Sequence, residues 1–169
     1  MAPYPPDLDR WRDAARIAAD ARELGLRLAV PGARLVDLAE QVEGFIRSKG
    51  AQPAFPANLS RNDEAAHFTP APGETVVLVA GDLLKVDVGA HLDGAIADTA
   101  DTVEVGGTHR YDHLIRAARE GRAAGIRAVR PGGRVDDVSR AIAAAIRARG
   151  VKPVVDLTGP TPREVVRRS

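Results

Sequence analysis

Asp87 and Asp98 are the two residues of this chain whose type and spacing most plainly suggest chemistry. They sit in the segment Lys85-Val-Asp87-Val-Gly89-Ala-His91-Leu-Asp93-Gly94-Ala-Ile-Ala-Asp98-Thr-Ala100-Asp-Thr-Val103. Two short alternating runs flank Asp93-Gly94, a turn signal, and the pattern predicts a β-hairpin. Side chains alternate along a strand, so both carboxylates fall on one face whichever residues centre the turn. A turn centred on Leu92-Asp93 opposes them directly, and one centred on Asp93-Gly94 makes them diagonal neighbours. Like charges so placed repel. A hard or borderline divalent cation between them removes the repulsion. Gly89 and Ala100 share that face and leave room for an ion. The hairpin therefore reads as half of a metal site, and the competing reading is a pair of solvated acids on an exposed hairpin.

The rest of the chain must position that hairpin. With 169 residues, 44% hydrophobic and 28% charged, it has the composition of an ordinary globular protein of about one domain. A net charge of +1 gives no electrostatic case for nucleic acid or a membrane surface. Cysteine is absent, which excludes disulfides, thiolate ligands and a cysteine nucleophile. The first residues lack the pattern of a secretory signal, and no apolar run reaches membrane-spanning length, so the cytoplasm is the expected location.

Apolar spacing predicts helices over residues 7–29, 35–49, 111–130 and 135–149. Strands are expected over 76–80, 83–91 and 95–105, with a short extended segment at 53–59, a loop at 62–72 and another strand at 153–157. The two helix pairs repeat at an offset of one hundred residues. Pro31-Gly32-x-Arg34-x-x-Asp37 matches Pro131-Gly132-x-Arg134-x-x-Asp137, and Ile46-Arg47-x-x-Gly50-x-x-Pro53 matches Ile146-Arg147-x-x-Gly150-x-x-Pro153. Arg22, Gly25 and Arg27 match Arg122, Gly125 and Arg127 without a gap. The chain is thus expected to hold two related α/β halves, the second ending after its first strand.

Three stretches carry a resemblance. They are Phe55-Pro56-x-Asn58-x-Ser60-x-Asn62-x-x-Ala65-Ala66-His67-Phe68-Thr69-Pro70, Gly81-Asp82-x-x-Lys85-x-Asp87-x-Gly89, and Asp93-Gly94-x-Ile96-Ala97-Asp98-Thr99-Ala100. Together they resemble methionine aminopeptidase, and Ala-Ala-His-Phe-Thr-Pro is similar to the type 2, archaeal-like branch. The resemblance runs from about Asp7 to Gly159. It implies an α/β (α+β) pita-bread (creatinase/aminopeptidase-like) fold, present here as the first half plus the start of the pseudo-symmetric second half. In domain terms, residues 1–159 form an incomplete metallopeptidase domain and residues 160–169 a tail without family character.

By the same resemblance Asp87 binds one metal and Asp98 bridges two. His67 contacts the substrate and stabilises the tetrahedral intermediate, and Phe55 lines the apolar pocket for the methionine side chain. Two divalent ions (cobalt, manganese, iron or zinc) would activate water and polarise the scissile carbonyl. The implied reaction removes the initiator methionine from nascent polypeptide N-termini, and the ribosome is one place to meet them. His91 lies near the hairpin turn on the face of Asp87, within reach of a metal-bound water, but is read as a surface turn histidine. His109 and His113 are read as solvent-facing.

The resemblance stops at Leu157-Thr158-Gly159, where Pro160 stands at the position of a family histidine ligand. Two family glutamates expected later have no counterpart, and Glu164 stands too close to the break to replace them. The expectation is a frameshifted or truncated reading frame, with a partial metal site and no activity of its own. The competing readings are a shortened paralogue, a non-catalytic pita-bread binding module, and a proline-specific relative of the same fold.

Overall fold

The computed structural model describes residues 8–64 and 66–154. They fall into two compact units that divide after Asp112. The first holds helices α1 (Leu8–Leu28) and α2 (Leu35–Ser48) and strands β1 (Gln52–Pro53), β2 (Asn58–Arg61), β3 (Leu83–Leu92) and β4 (Ala95–Glu104). The second holds α3 (Asp112–Ala128) and α4 (Val135–Ala148). The expected domain end at residue 159, Pro160 and Glu164 lie outside the described residues, as does the strand expected over 153–157 beyond Val154.

Strand β3 is the axis of the first unit. It pairs antiparallel with β4 along its whole length, and its other edge takes β1 and β2 in tandem. Leu84, Val86, Val88 and Ala90 alternate onto one face and are completely buried. They meet α1, whose buried stripe is Ala14, Ala18, Ala21 and Gly25, and α2, which contributes Leu35, Leu38, Val42 and Ile46. Full burial of each larger aliphatic side chain favours folding by roughly 1.5–3 kcal/mol. The stripe of α1 is made of small residues because the helix lies close to the sheet. A Cβ on Gly25 would stand 2.8 Å from Val86 Cγ1 and 3.3 Å from Val42 Cγ2.

The helices and the hairpin follow the periodicity read from the sequence, with ends moved by a residue or two. The extended segment at 53–59 divides into β1 and β2 around residues 54–57. The strand expected over 76–80 is absent. Its residues instead bond to the turn between α1 and α2, through Gly32 N to Leu78 O (2.8 Å), Leu78 N to Ala33 O (2.8 Å) and Leu35 N to Val76 O (3.1 Å). A single bridge, Arg34 to Val77, results. A turn supplies too short a partner for a ladder, whatever the apolar character of Val76-Val77-Leu78-Val79.

Within each unit the helix pair has the same local geometry, as the repeat requires. Arg34 and Arg134 are both extended N-caps, with φ/ψ of −82°/137° and −89°/141°. Both second helices close through their last carbonyls onto Gly50 and Gly150 at φ +78° and +71°, the left-handed conformation common after helix ends. In the second unit a Cβ on Gly125 would stand 2.7 Å from Ile142 Cγ1, and one on Gly121 2.8 Å from Ile146 Cγ1. The two glycines thus let α3 and α4 approach closely. None of the residues of α4 is buried.

Candidate active site

The hairpin turn settles the register of the two carboxylates. Leu92 pairs with Ala95, so Asp93 and Gly94 are the two turn residues, with φ of +47° and +87°. Positive φ at both positions is the type I′ hairpin turn that Asp-Gly favours. Asp87 then lies opposite Ala100, and Gly89 opposite Asp98. The acids are diagonal neighbours on the face away from the helices, with small residues at the other two corners. Diagonal Cβ atoms are about 7–8 Å apart or somewhat less, a span that two carboxylates reaching inward can close around a cation.

Asp87 is half-buried and Asp98 exposed. The Asp87 carboxyl titrates above the usual carboxylate range, first because of burial and next because Asp98 stands beside it. His67 and the side chain of Asn58 work in the opposite direction. The buried Oδ1 of Asp87 has no hydrogen-bond partner. A lone buried acceptor beside a second acid fits a hard divalent cation, which would satisfy the one and neutralise the other. Among the described residues no group of three His, Cys, Asp or Glu side chains converges as a ligand set. Asp87 and Asp98 are thus a two-carboxylate pair without a third such side chain converging on it among the described residues.

Phe55 belongs to the same face. A Cβ on Gly89 would come within 2.4 Å of Phe55 Cε1, so the ring lies directly on the glycine that faces Asp98. His67 stands on the loop between β2 and residue 70, at φ +73°, and is exposed. The returning end of its loop is tied to β2. Leu59 N donates to Phe68 O (2.7 Å) and Thr69 Oγ1 to Asn58 Oδ1 (2.9 Å). Asn58 is buried and pairs in register with Asp87. Phe55, His67, Asp87 and Asp98, the four candidates named from the sequence, are thus grouped around the open face of β3 and β4.

Two further residues shape this face. Lys85, two positions before Asp87 and on the same side, donates through Nζ to Asn62 O (3.2 Å) and Glu64 O (2.9 Å). Burial lowers its pKa, and Glu64 and Asp63 act against that. Period-two alternation from Asp87 would have placed Lys85 on this face, but its loop partners are visible only in three dimensions. His91, also on this face and near the turn, is partly buried and its Nδ1 lacks a partner. His109 and His113 are exposed as expected.

Residues 9–161 match metallopeptidase family M24. The chain is 48% identical to the methionine aminopeptidase of Pyrococcus abyssi over 90% of its own length and 51% of that protein. It is 33% identical to the methionine aminopeptidase of Methanothermus fervidus over 91% of its own length and 88% of that protein. The crystal structure of methionine aminopeptidase from Thermotoga maritima superposes with a TM-score of 0.83 at 28% identity, covering 92% of this chain and 66% of that one. The chain spans about half the length of the Pyrococcus relative. The hairpin and helix pairs are thereby those of the pita-bread fold, present as one half and the beginning of the next. A carboxylate pair on the open face of a hairpin, a histidine loop beside it and these matches agree: the chain belongs to the M24 metallopeptidases and, within them, to the archaeal-type methionine aminopeptidases.

Proposed function

We propose that this chain carries the part of a methionine aminopeptidase site that grips the substrate's side chain and one metal ion, for removal of the initiator methionine from nascent polypeptides. The observation that supports it most is the Asp87–Asp98 diagonal, with its unpartnered buried Oδ1 and with the Phe55 ring on the adjacent Gly89. Asp87 and Asp98 hold a divalent cation of the manganese, cobalt, iron or zinc class. When bound, that ion supplies Lewis-acid polarisation of the scissile carbonyl and acidifies water. Phe55 offers its ring to the unbranched, polarisable methionine side chain. His67 donates a hydrogen bond to the oxygen on which charge develops. Its exposed position leaves the ring accessible to a peptide N-terminus.

Among the described residues Asp87 and Asp98 are the assigned ligands, too few to hold two ions, so this polypeptide by itself is expected to be inactive. Purified and supplied with manganese or cobalt, it should release no methionine from Met-Ala peptides beyond an Asp87→Ala/Asp98→Ala control. Joining residues 1–154 to the carboxy-terminal half of the Pyrococcus abyssi relative should give methionine release that Asp87→Ala or Asp98→Ala abolishes. A folded chimera whose activity ignores both substitutions would refute the assignment.

A further inference from the structure

Lys85 does no chemistry in the reading above, yet it is tied to the histidine loop from the strand that carries Asp87. Its ammonium donates to the carbonyls of Asn62 (3.2 Å) and Glu64 (2.9 Å), the residues by which the chain leaves β2 on its way to His67. The same segment is held by further contacts, among them Asn62 N to Leu83 O (2.8 Å) and Glu64 N to Arg61 O (2.9 Å). Leu83 N donates to Asn62 Oδ1 (2.9 Å), Asn62 Nδ2 to Asp82 Oδ1 (2.8 Å) and Arg61 N to Glu64 Oε2 (2.7 Å). Asn62 adopts φ +52° and His67 φ +73°. Left-handed backbone at residues other than glycine persists only where the surroundings determine it.

We infer that Lys85 is a positioning residue: by clamping the Asn62 and Glu64 carbonyls it sets where the His67 imidazole stands relative to Asp87. The inference rests on the role given to His67 under the proposed function. Lys85 and Asp87 are successive residues on one face of a rigid, fully paired strand. Loop and ligand therefore share one frame, and the ammonium with its two carbonyl acceptors ties the entry of the His67 loop to the strand that carries Asp87. An ammonium suits the task because it is a compact multiple donor on a flexible stem that needs no acceptor partner of its own. At its other end the loop returns to β2 through Phe68 and Thr69, so only the entry depends on Lys85.

The test compares the full chain with Lys85→Met, which keeps the aliphatic length and removes the donor, and Lys85→Arg, which restores donors. Histidine ring resonances are followed by NMR with and without Mn²⁺, beside the thermal transition. In Lys85→Met the His67 ring shift should move and its Mn²⁺-induced broadening should fall severalfold. His91, on the paired strand, should keep its broadening, and Lys85→Arg should recover part of the His67 signal. Unchanged His67 shift and broadening in Lys85→Met would overturn the inference, as would changes that affect His67, His91, His109 and His113 alike in step with lost stability. If Mn²⁺ broadens no histidine of the unsubstituted chain, the metal reading fails, and the metal-free His67 shift alone decides the role of Lys85. Should Lys85→Met not fold, Lys85→Gln takes its place under the same criteria.

Discussion

Gly89 and Phe55 are in contact: a Cβ on Gly89 would stand 2.4 Å from Phe55 Cε1 and 2.9 Å from Cδ1. The ring lies where a side chain would otherwise be, on the strand position that faces Asp98. A glycine at this point of β3 is thus required by the aromatic above it.

Replacing Gly89 by alanine must displace the ring. The expected cost is about 1–3 kcal/mol, the usual range for overpacking a filled site. In a Phe55→Ala background the same substitution should cost little, because its clash is gone. A double-mutant cycle by urea denaturation checks this. Equal costs in both backgrounds would show that the ring is free to move aside.

Asp87 should make the chain less stable as pH rises. Its carboxyl binds a proton more tightly in the folded state than in the unfolded one, because of burial and then Asp98. Its effect is smallest below the ordinary carboxylate pKa. Stability is lost as pH climbs from there through the raised folded value. In the presence of a chelator, Asp87→Asn should flatten that slope and stabilise the chain at neutral pH by about 0.2–1 kcal/mol, the scale of a like-charge cross-strand pair. Urea titrations between about pH 4 and 7, roughly the span of carboxylate linkage, give the comparison. A variant equally stable or weaker at neutral pH would contradict the repulsion argument.

Glu104 holds the exit from the hairpin. Its buried carboxylate accepts from Arg110 N (3.0 Å), Tyr111 N (2.8 Å) and the Thr108 hydroxyl. Glu104→Ala leaves those donors without their acceptor and should cost about 1–3 kcal/mol for each that stays buried and unpaired. Amide exchange at Arg110 and Tyr111 should quicken while that of β3 keeps its order. Unaltered exchange at both amides would mean that the carboxylate is dispensable there.

The second unit presents apolar surface. Ile126, Val129, Val135 and Val154 are each more than half exposed. An open groove of about 840 Å³ runs along α4 past Ile142, Ile146 and Pro153. Surface of this kind promotes association. The chain should therefore self-associate with rising concentration, and Val135→Lys with Val154→Lys should reduce that without lowering the thermal transition. Sedimentation velocity over a concentration series decides it, and a monomer at all concentrations would refute the expectation.

Much of this architecture is legible before folding. The type I′ turn follows from Asp93-Gly94, because few residue pairs tolerate positive φ twice. Asp87 and Asp98 share a face by period alone. The helix pairs carry their own breaks in Pro31-Gly32 and Pro131-Gly132, and the one-hundred-residue repeat reappears as matched caps at Arg34 and Arg134. The residues from Val76 to Val79 were misleading because β-propensity describes a half-buried extended chain, and a strand also needs a partner of its own length.

By itself the sequence determined what is local or periodic: the helices, the hairpin, the facing of the two acids and the family those motifs belong to. Only the tertiary structure decided between direct and diagonal acids, since register depends on which turn the paired strands close. It alone seated Phe55 on Gly89, and it alone brought Lys85 to the carbonyls before His67. Such contacts join residues from different segments. They depend on where the backbone goes after packing against α1 and α2, which no spacing within one segment encodes.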